Sequence, residues 1–145
     1  MASTTFSGPV TSTNGFIGNL VGAVTVTHTT KAAINSTATA TAAQVATGYI
    51  TTTSAALTTI TLPTGTLLGA ELGATQGTVF ELSIDNTAGA STVTIAVAVN
   101  GIKSGAAVTT AGSFGDVSVV AGPTGLARFT IMFSSPTAYV FTRTA

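Results

Sequence analysis

The sequence predicts an all-β fold, an antiparallel β-sandwich or barrel-like domain with one short helix and an extended N-terminal arm. Three observations carry that expectation. Threonine is the commonest residue, and 16 glycines punctuate the chain; β-branched side chains suit a pleated sheet and weaken helices. Apolar and polar residues alternate with period 2 in several stretches. Turn signals recur often enough to separate eight or nine short strands, the spacing of a sandwich or barrel. At 145 residues the chain fits one domain. A domain of this size buries roughly two-thirds of its unfolded surface, enough for a core without metals or disulfides. No fixed repeat of about 20–50 residues is visible, which disfavours a solenoid.

Residues 1–19 show no sustained period. Gly8, Pro9, Asn14, Gly15 and Gly18 interrupt them, and Phe6 and Phe16 stand as isolated aromatics. This reads as an arm, with the β-domain spanning 20–145. Such a segment buries too little apolar surface to offset an ordering cost of roughly 1–2 kcal/mol per residue, so order is expected only against a partner. From Leu20 the period becomes 2, with Val24, Val26 and His28 on one face and Thr25, Thr27 and Thr29 on the other. Thr41–Gly48 is compatible with one helical turn ending at a glycine. Tyr49–Thr53 and Leu57–Leu62 read as strands, the second ended by Pro63. Thr64–Leu72 is the helix, with Leu67, Leu68 and Leu72 at helical spacing and Gly73 as its stop; it should cap a sheet edge.

The second half alternates more clearly. Phe80, Leu82 and Ile84 oppose Glu81, Ser83 and Asp85, and a turn follows through Ala90. Val93, Ile95, Val97 and Val99 predict one long strand. Asn100-Gly101 predicts a type I′ hairpin turn. Further strands are expected near Ala106–Thr110 and Val117–Ala121, then at Phe129–Phe133 and Tyr139–Arg143, with Pro136 in the turn between the last two.

Composition excludes several function classes. Charged residues are only 6% of the chain, four basic and four acidic, against about 25% in a typical soluble domain. Four scattered cations cannot build the phosphate-neutralising footprint of a nucleic-acid binder. No run approaches the ~20 apolar residues that span a bilayer, so no membrane association is expected. Met1–Thr5 lacks the basic region and apolar run of a signal peptide and reads as a mature N-terminus. The chain has no cysteine, so disulfides and thiolate metal sites are excluded. A nearly uncharged surface favours association.

No constellation of a catalytic site is evident, and the reading is of a non-enzyme without cofactors or metal. His28 is the single histidine, whereas a metal site needs three or four ligands, and a Ser-His-acid triad would lack the Gly-x-Ser-x-Gly elbow. His28 therefore reads as structural or as an interface residue. Glu71, Glu81, Asp85 and Asp116 are the four carboxylates; Glu81 and Asp85 read as solvated strand charges and not as a glycosidase pair. Gly101–Gly105 lacks the phosphate-loop pattern. Asn35-Ser36-Thr37 matches a glycosylation acceptor by chance. Threonine pairs at Thr25-Val26-Thr27, Thr39-Ala40-Thr41 and Thr92-Val93-Thr94 resemble those of ice-binding surfaces but lack a regular coil repeat.

Thr4-Thr-Phe-Ser-Gly-Pro-Val10 followed by Ser12-Thr-Asn-Gly-Phe16 resembles the N-terminus of small tailed-bacteriophage virion proteins of the capsid decoration (head cement) or head-fibre type. Thr61-Leu-Pro-Thr64, the short helix, Gly77–Asn86, the valine strand and Leu126–Ile131 resemble a β-rich module of such proteins, in the same order. The resemblance implies a homotrimer on the outer surface of the capsid, assembled in the host cytoplasm, that cements the major capsid protein. Phe6, Pro9, Val10 and Phe16 are the expected capsid-binding contacts of the arm. Each large apolar side chain buried on docking would contribute ~1.5–3 kcal/mol. The alternative is a fibre or knob that binds host surface glycan, although tyrosines are few and tryptophan is absent.

Overall fold

A computed structural model describes His28, residues 30–103 and residues 117–144. The expected arm, the first strand from Leu20 and the strand at 106–110 lie outside these residues. Ten strands and two short helices follow one another: β1 (Ala32–Ala33), β2 (Ala38–Thr39), α1 (Ala42–Ala46), β3 (Tyr49–Thr51), β4 (Thr58–Thr61), α2 (Gly65–Leu72), β5 (Val79–Asp85), β6 (Val93–Ala96), β7 (Gly101–Lys103), β8 (Ser118–Val119), β9 (Leu126–Ser135) and β10 (Ala138–Arg143). The protein is β-rich, as its composition predicts. Among the described residues there are two helices, where the sequence predicts one.

The strands form a six-stranded sheet, ordered β1-β3-β5-β9-β10-β7, and a four-stranded sheet, ordered β2-β4-β6-β8. Neither closes into a barrel. The sheets are also mixed, which corrects the antiparallel expectation. β1, β3 and β5 run parallel to one another in the larger sheet, and β2, β4 and β6 do so in the smaller. The first six strands alternate between the sheets, so the chain winds as a flattened coil of three turns. Ala32 pairs with Ile50, but Ile50 pairs with Ile84, so the second step is nearly twice the first. The insertion of α2 between β4 and β5 stretches that step and hides the winding from a search for a fixed repeat. Antiparallel pairing appears only in the second half, where β9 joins β5 and β10, and β8 joins β6.

The core follows the alternation read from the sequence. Leu82 and Ile84 of β5, Ala127, Phe129, Ile131 and Phe133 of β9, and Tyr139 and Phe141 of β10 are buried. They cluster with Ile60, Val93, Ile95 and Val119 of the smaller sheet. Phe129 stacks on Phe141 with centroids 4.8 Å apart, which adds a directional contact to the buried area. Hydrogen bonds from side chains to backbone also tie the sheets together. The Tyr139 hydroxyl donates to the Pro63 carbonyl at 2.9 Å. Arg143 Nη1 donates to the Ser118 carbonyl at 2.9 Å. The buried Asn86 amide donates to the Ser91 and Val119 carbonyls at 2.9 and 3.0 Å.

Local chemistry sets both helices. Thr41 and Gln44 cap α1 reciprocally, each side chain accepting from the other's backbone N–H, the capping-box arrangement. Gly48 follows in the left-handed region. Thr64 caps α2 through its hydroxyl, and left-handed Gly73 stops it, the stop that the sequence indicates. The buried face of α2 is Gly65, Leu68 and Gly69, while Leu67 is 60% exposed. Glycine decides this face: a Cβ at Gly65 or Gly69 would overlap the Thr137 or Pro136 carbonyl. The helix therefore rests on the β9–β10 turn.

Two strand expectations change. β6 ends at Ala96, and Val99 is 72% exposed. The Gly101 N–H closes a turn onto the Ala98 carbonyl at 3.0 Å. Only Asn100 in this turn has positive φ, at 63°, whereas a type I′ turn needs two such residues. The turn carries the chain from the smaller sheet into β7 of the larger one, so no hairpin forms.

Four substitutions test this architecture by soluble expression and chemical denaturation. Ile95→Asp and Ile131→Asp each bury an unpaired charge and abolish soluble folded protein. Asn86→Leu strands two carbonyls, each at a cost of roughly 1–3 kcal/mol. Gly69→Ala lowers stability, although the same change in an exposed helix interior gains about 1 kcal/mol.

Candidate functional site

The expected arm contacts Phe6, Pro9, Val10 and Phe16 lie outside the described residues, as does Asp116. The described residues offer three surfaces that could bind something: two outward sheet faces and a groove.

The outward face of the smaller sheet is made of hydroxyls and methyls. β2, β4, β6 and β8 contain no charged residue. Register aligns Thr59 with Thr94 and Thr94 with Ser118 in one row, and Thr39 with Thr61 and Ala96 in the next. The Thr37 hydroxyl accepts from the Thr59 N–H at 3.1 Å and extends the first row. These rows differ from the threonine pairs singled out in the sequence, because parallel winding aligns Thr-x-Thr segments from successive turns.

At the end of this sheet a groove of about 510 Å³ opens between the helices, lined by Thr39, Thr41, Ala42, Pro63, Leu67 and Glu71 among others. Its lining is mostly apolar, and Glu71 is its only charged residue.

The larger sheet presents a different outward face. Val79 faces Met132, and Met132 faces Val140, forming an apolar row at one end. Towards the other end stand Glu81, Asp85 and Arg128, with Tyr49 and Arg128 on either side of Ser83. The Tyr49 hydroxyl donates to Asp85 Oδ2 at 2.6 Å. Asp85 Oδ1 accepts from the Thr87 hydroxyl at 2.6 Å and from the Thr87 N–H at 2.9 Å. His28 is exposed and stacks on the Tyr49 ring, with centroids 6.5 Å apart and planes at 28°. Its imidazole lies over Gly48, where any Cβ would overlap it. Positive φ at Gly48 and this close approach both require glycine there.

The electrostatics of the group are fixed by these bonds. The Thr87 hydroxyl, then the Tyr49 hydroxyl and the Thr87 N–H, hold the Asp85 carboxyl below the usual carboxylate range, and Lys31 adds its field. Asp85 pushes the Tyr49 hydroxyl up, first by accepting its hydrogen bond and then, after burial, by charge. Burial raises Tyr139 strongly.

Asp85 and Glu81 stand outward, as the alternation predicts. Sequence reading missed Tyr49 as their neighbour, because the pairing of β3 with β5 joins segments far apart in the chain. Asn35 of the acceptor triplet is engaged through its Oδ1, which accepts from the Thr53 N–H at 2.9 Å. Among the described residues, no group of three or more His, Cys, Asp or Glu is placed to hold a metal ion. No helix among them is long and apolar enough to cross a membrane.

The raised tyrosines fix the sign of an alkaline transition. Both favour the neutral phenol in the native state, so their contribution is complete below the ordinary value of about 10 and is lost as pH rises through the native values. The chain has two tyrosines and no tryptophan, so phenolate absorbance reports them cleanly. Tyr49 should titrate above its ordinary value and Tyr139 only on unfolding. Asp85→Asn should move the Tyr49 step down towards that ordinary value.

Set beside protein-family models, curated proteins and solved structures, the chain matches none of them.

Proposed function

We propose that this chain is a structural virion protein of a tailed phage, which decorates the outer capsid surface and stabilises it by binding the major capsid protein as a trimer. The observation that supports this most directly is the uncharged outward face of the four-stranded sheet. Flat sheet faces and edges without charge invite association. Binding by surface burial suits such a face, because no ion has to be desolvated.

In this reading the two sheets stack as a sandwich over their common core. The smaller sheet's outward face is covered by sister copies or by the capsid, and the segment 1–19 supplies further apolar contacts through Phe6, Pro9, Val10 and Phe16. The protein acts without catalysis or cofactor, on the virion surface, after assembly in the host cytoplasm.

The test mixes purified protein with undecorated phage heads and measures bound copies and heat resistance. Light scattering of the assembled species should give three chain masses. Thr94→Glu adds a charge at an exposed position of the uncharged face, and the variant should stay folded but bind fewer copies. Deletion of residues 2–16 should likewise leave the β-domain folded and lower occupancy. Full occupancy with unchanged heat resistance in both variants would overturn the proposal.

A further inference from the structure

Asn100-Gly101, the pair that the sequence marks for a hairpin turn, carries a chemistry that the decorating role leaves unused. We propose that it is a self-modification site: the Gly101 backbone nitrogen attacks the Asn100 side chain and converts it to aspartate and isoaspartate, and the folded turn holds this reaction back. The inference concerns the chain's own covalent chemistry and stands independently of the capsid-binding reading.

The reaction needs only water. The Gly101 nitrogen attacks Asn100 Cγ and a nitrogen–carbon bond forms. The Cγ–Nδ2 bond breaks, and the amide nitrogen leaves as ammonia with the proton from Gly101. Water then opens the cyclic imide at either of its carbonyls, giving aspartate or isoaspartate. Glycine is the residue that resists ring closure least, because it has no side chain to crowd the imide and its backbone rotates most freely. Asn100 is exposed, so solvent reaches its amide.

The native turn opposes the first step. The attacking group is already engaged, since the Gly101 N–H donates to the Ala98 carbonyl at 3.0 Å. Gly101 is also confined: a Cβ there would overlap the Tyr139 ring and Val97. The rest of the turn is tied down by the Tyr139 N–H, which donates to the Asn100 carbonyl at 3.0 Å, and by the Gly65 N–H, which donates to the Val99 carbonyl at 3.1 Å. Asn100 itself stands at φ 63°, in the left-handed region that asparagine tolerates better than most side chains. Attack on Cγ therefore requires the turn to open. The strand it leads into makes that opening local. β7 has three residues, lies at the edge of the larger sheet and is hydrogen-bonded to β10. Short edge elements open at a fraction of the free energy of global unfolding.

The product alters the junction between the sheets. Isoaspartate routes the main chain through Cβ and Cγ, which lengthens it by one carbon where the smaller sheet passes into β7. The carbonyl that accepts from Tyr139 leaves the main chain and becomes a carboxylate. The pairing of Gly101 with Tyr139 is displaced with it. Either product adds a negative charge to a chain whose formal net charge is zero.

The test incubates the full chain at mildly alkaline pH, native and urea-unfolded, followed by peptide mass mapping and isoaspartate methyltransferase labelling. In urea, Asn100 should show the mass change of an amide-to-acid exchange and should become labelled. Asn14, in the chain's other Asn-Gly pair, should do so at a similar rate. In the native chain Asn100 should react at least about ten-fold more slowly, because the turn must open first. Asn100→Gly suits a positive φ, so it should fold and show no labelling in that peptide. Chain aged in urea and refolded should unfold at lower denaturant than Asn100→Gly carried through the same treatment. Equal rates at Asn100 in the native and unfolded chain would overturn the proposal. So would an Asn100 that stays unmodified in urea while Asn14 converts.

Discussion

The two sheets are held in one arrangement by the buried side-chain amide of Asn86. Its Nδ2 donates to carbonyls of Ser91 and Val119, one in the segment leading to β6 and one in β8. Its backbone N–H donates to Gly125, and its carbonyl accepts from Gly89 and Gly122. A single residue at the end of β5 thus fixes the turn into the smaller sheet and the loop that returns from it. Apolar burial draws the sheets together without specifying their offset. A buried amide does specify it, because a misplaced partner leaves a polar group unpaired in a medium that penalises it. Tyr139 and Arg143 repeat the device with Pro63 and Ser118.

Winding explains the composition. A coil that alternates between two sheets needs, in each turn, apolar residues inward and small polar ones outward. Ile60 and Ile95 face the core, flanked by Thr59, Thr61 and Thr94. β-branched residues serve both sides of such a strand, since they fit the pleat whether buried or exposed. Glycine serves the joints: Gly65 and Gly69 let α2 approach the β9–β10 turn, and Gly48 admits the His28 ring. Few charges are needed in the strands, and Glu81, Asp85 and Arg128 share one outward face. That segregation gives the molecule two unlike surfaces, one suited to burial against protein and one to polar contacts.

The site was only partly legible. Asp85 and Glu81 could be placed outward from alternation alone. His28 was assigned to a strand face, but it is exposed beside Tyr49. Neither Lys31 nor Tyr49 could be joined to Asp85 without the parallel pairing of β1, β3 and β5. The only available signal was the recurrence of Thr-Ala-Thr at 37–39, Thr-Ile-Thr at 59–61 and Thr-Ile-Ala at 94–96, which mark equivalent positions in successive turns. Unequal spacing between these segments concealed their equivalence.

The sequence by itself determined the β-rich class, the inward faces of β5 and β9, and both ends of α2. These depend on local chemistry: alternation within one strand, a threonine hydroxyl capping a helix, a glycine free to turn left-handed. Only the tertiary structure decided that the strands pair in parallel across a coil, that Asn100 leads into another sheet, and that Leu67 faces solvent while Gly69 is buried. The reason is physical. Alternation says which face of a strand is apolar, but it is the same for a parallel and an antiparallel neighbour. The choice depends on what each connection can span and on which distant backbone groups satisfy one another.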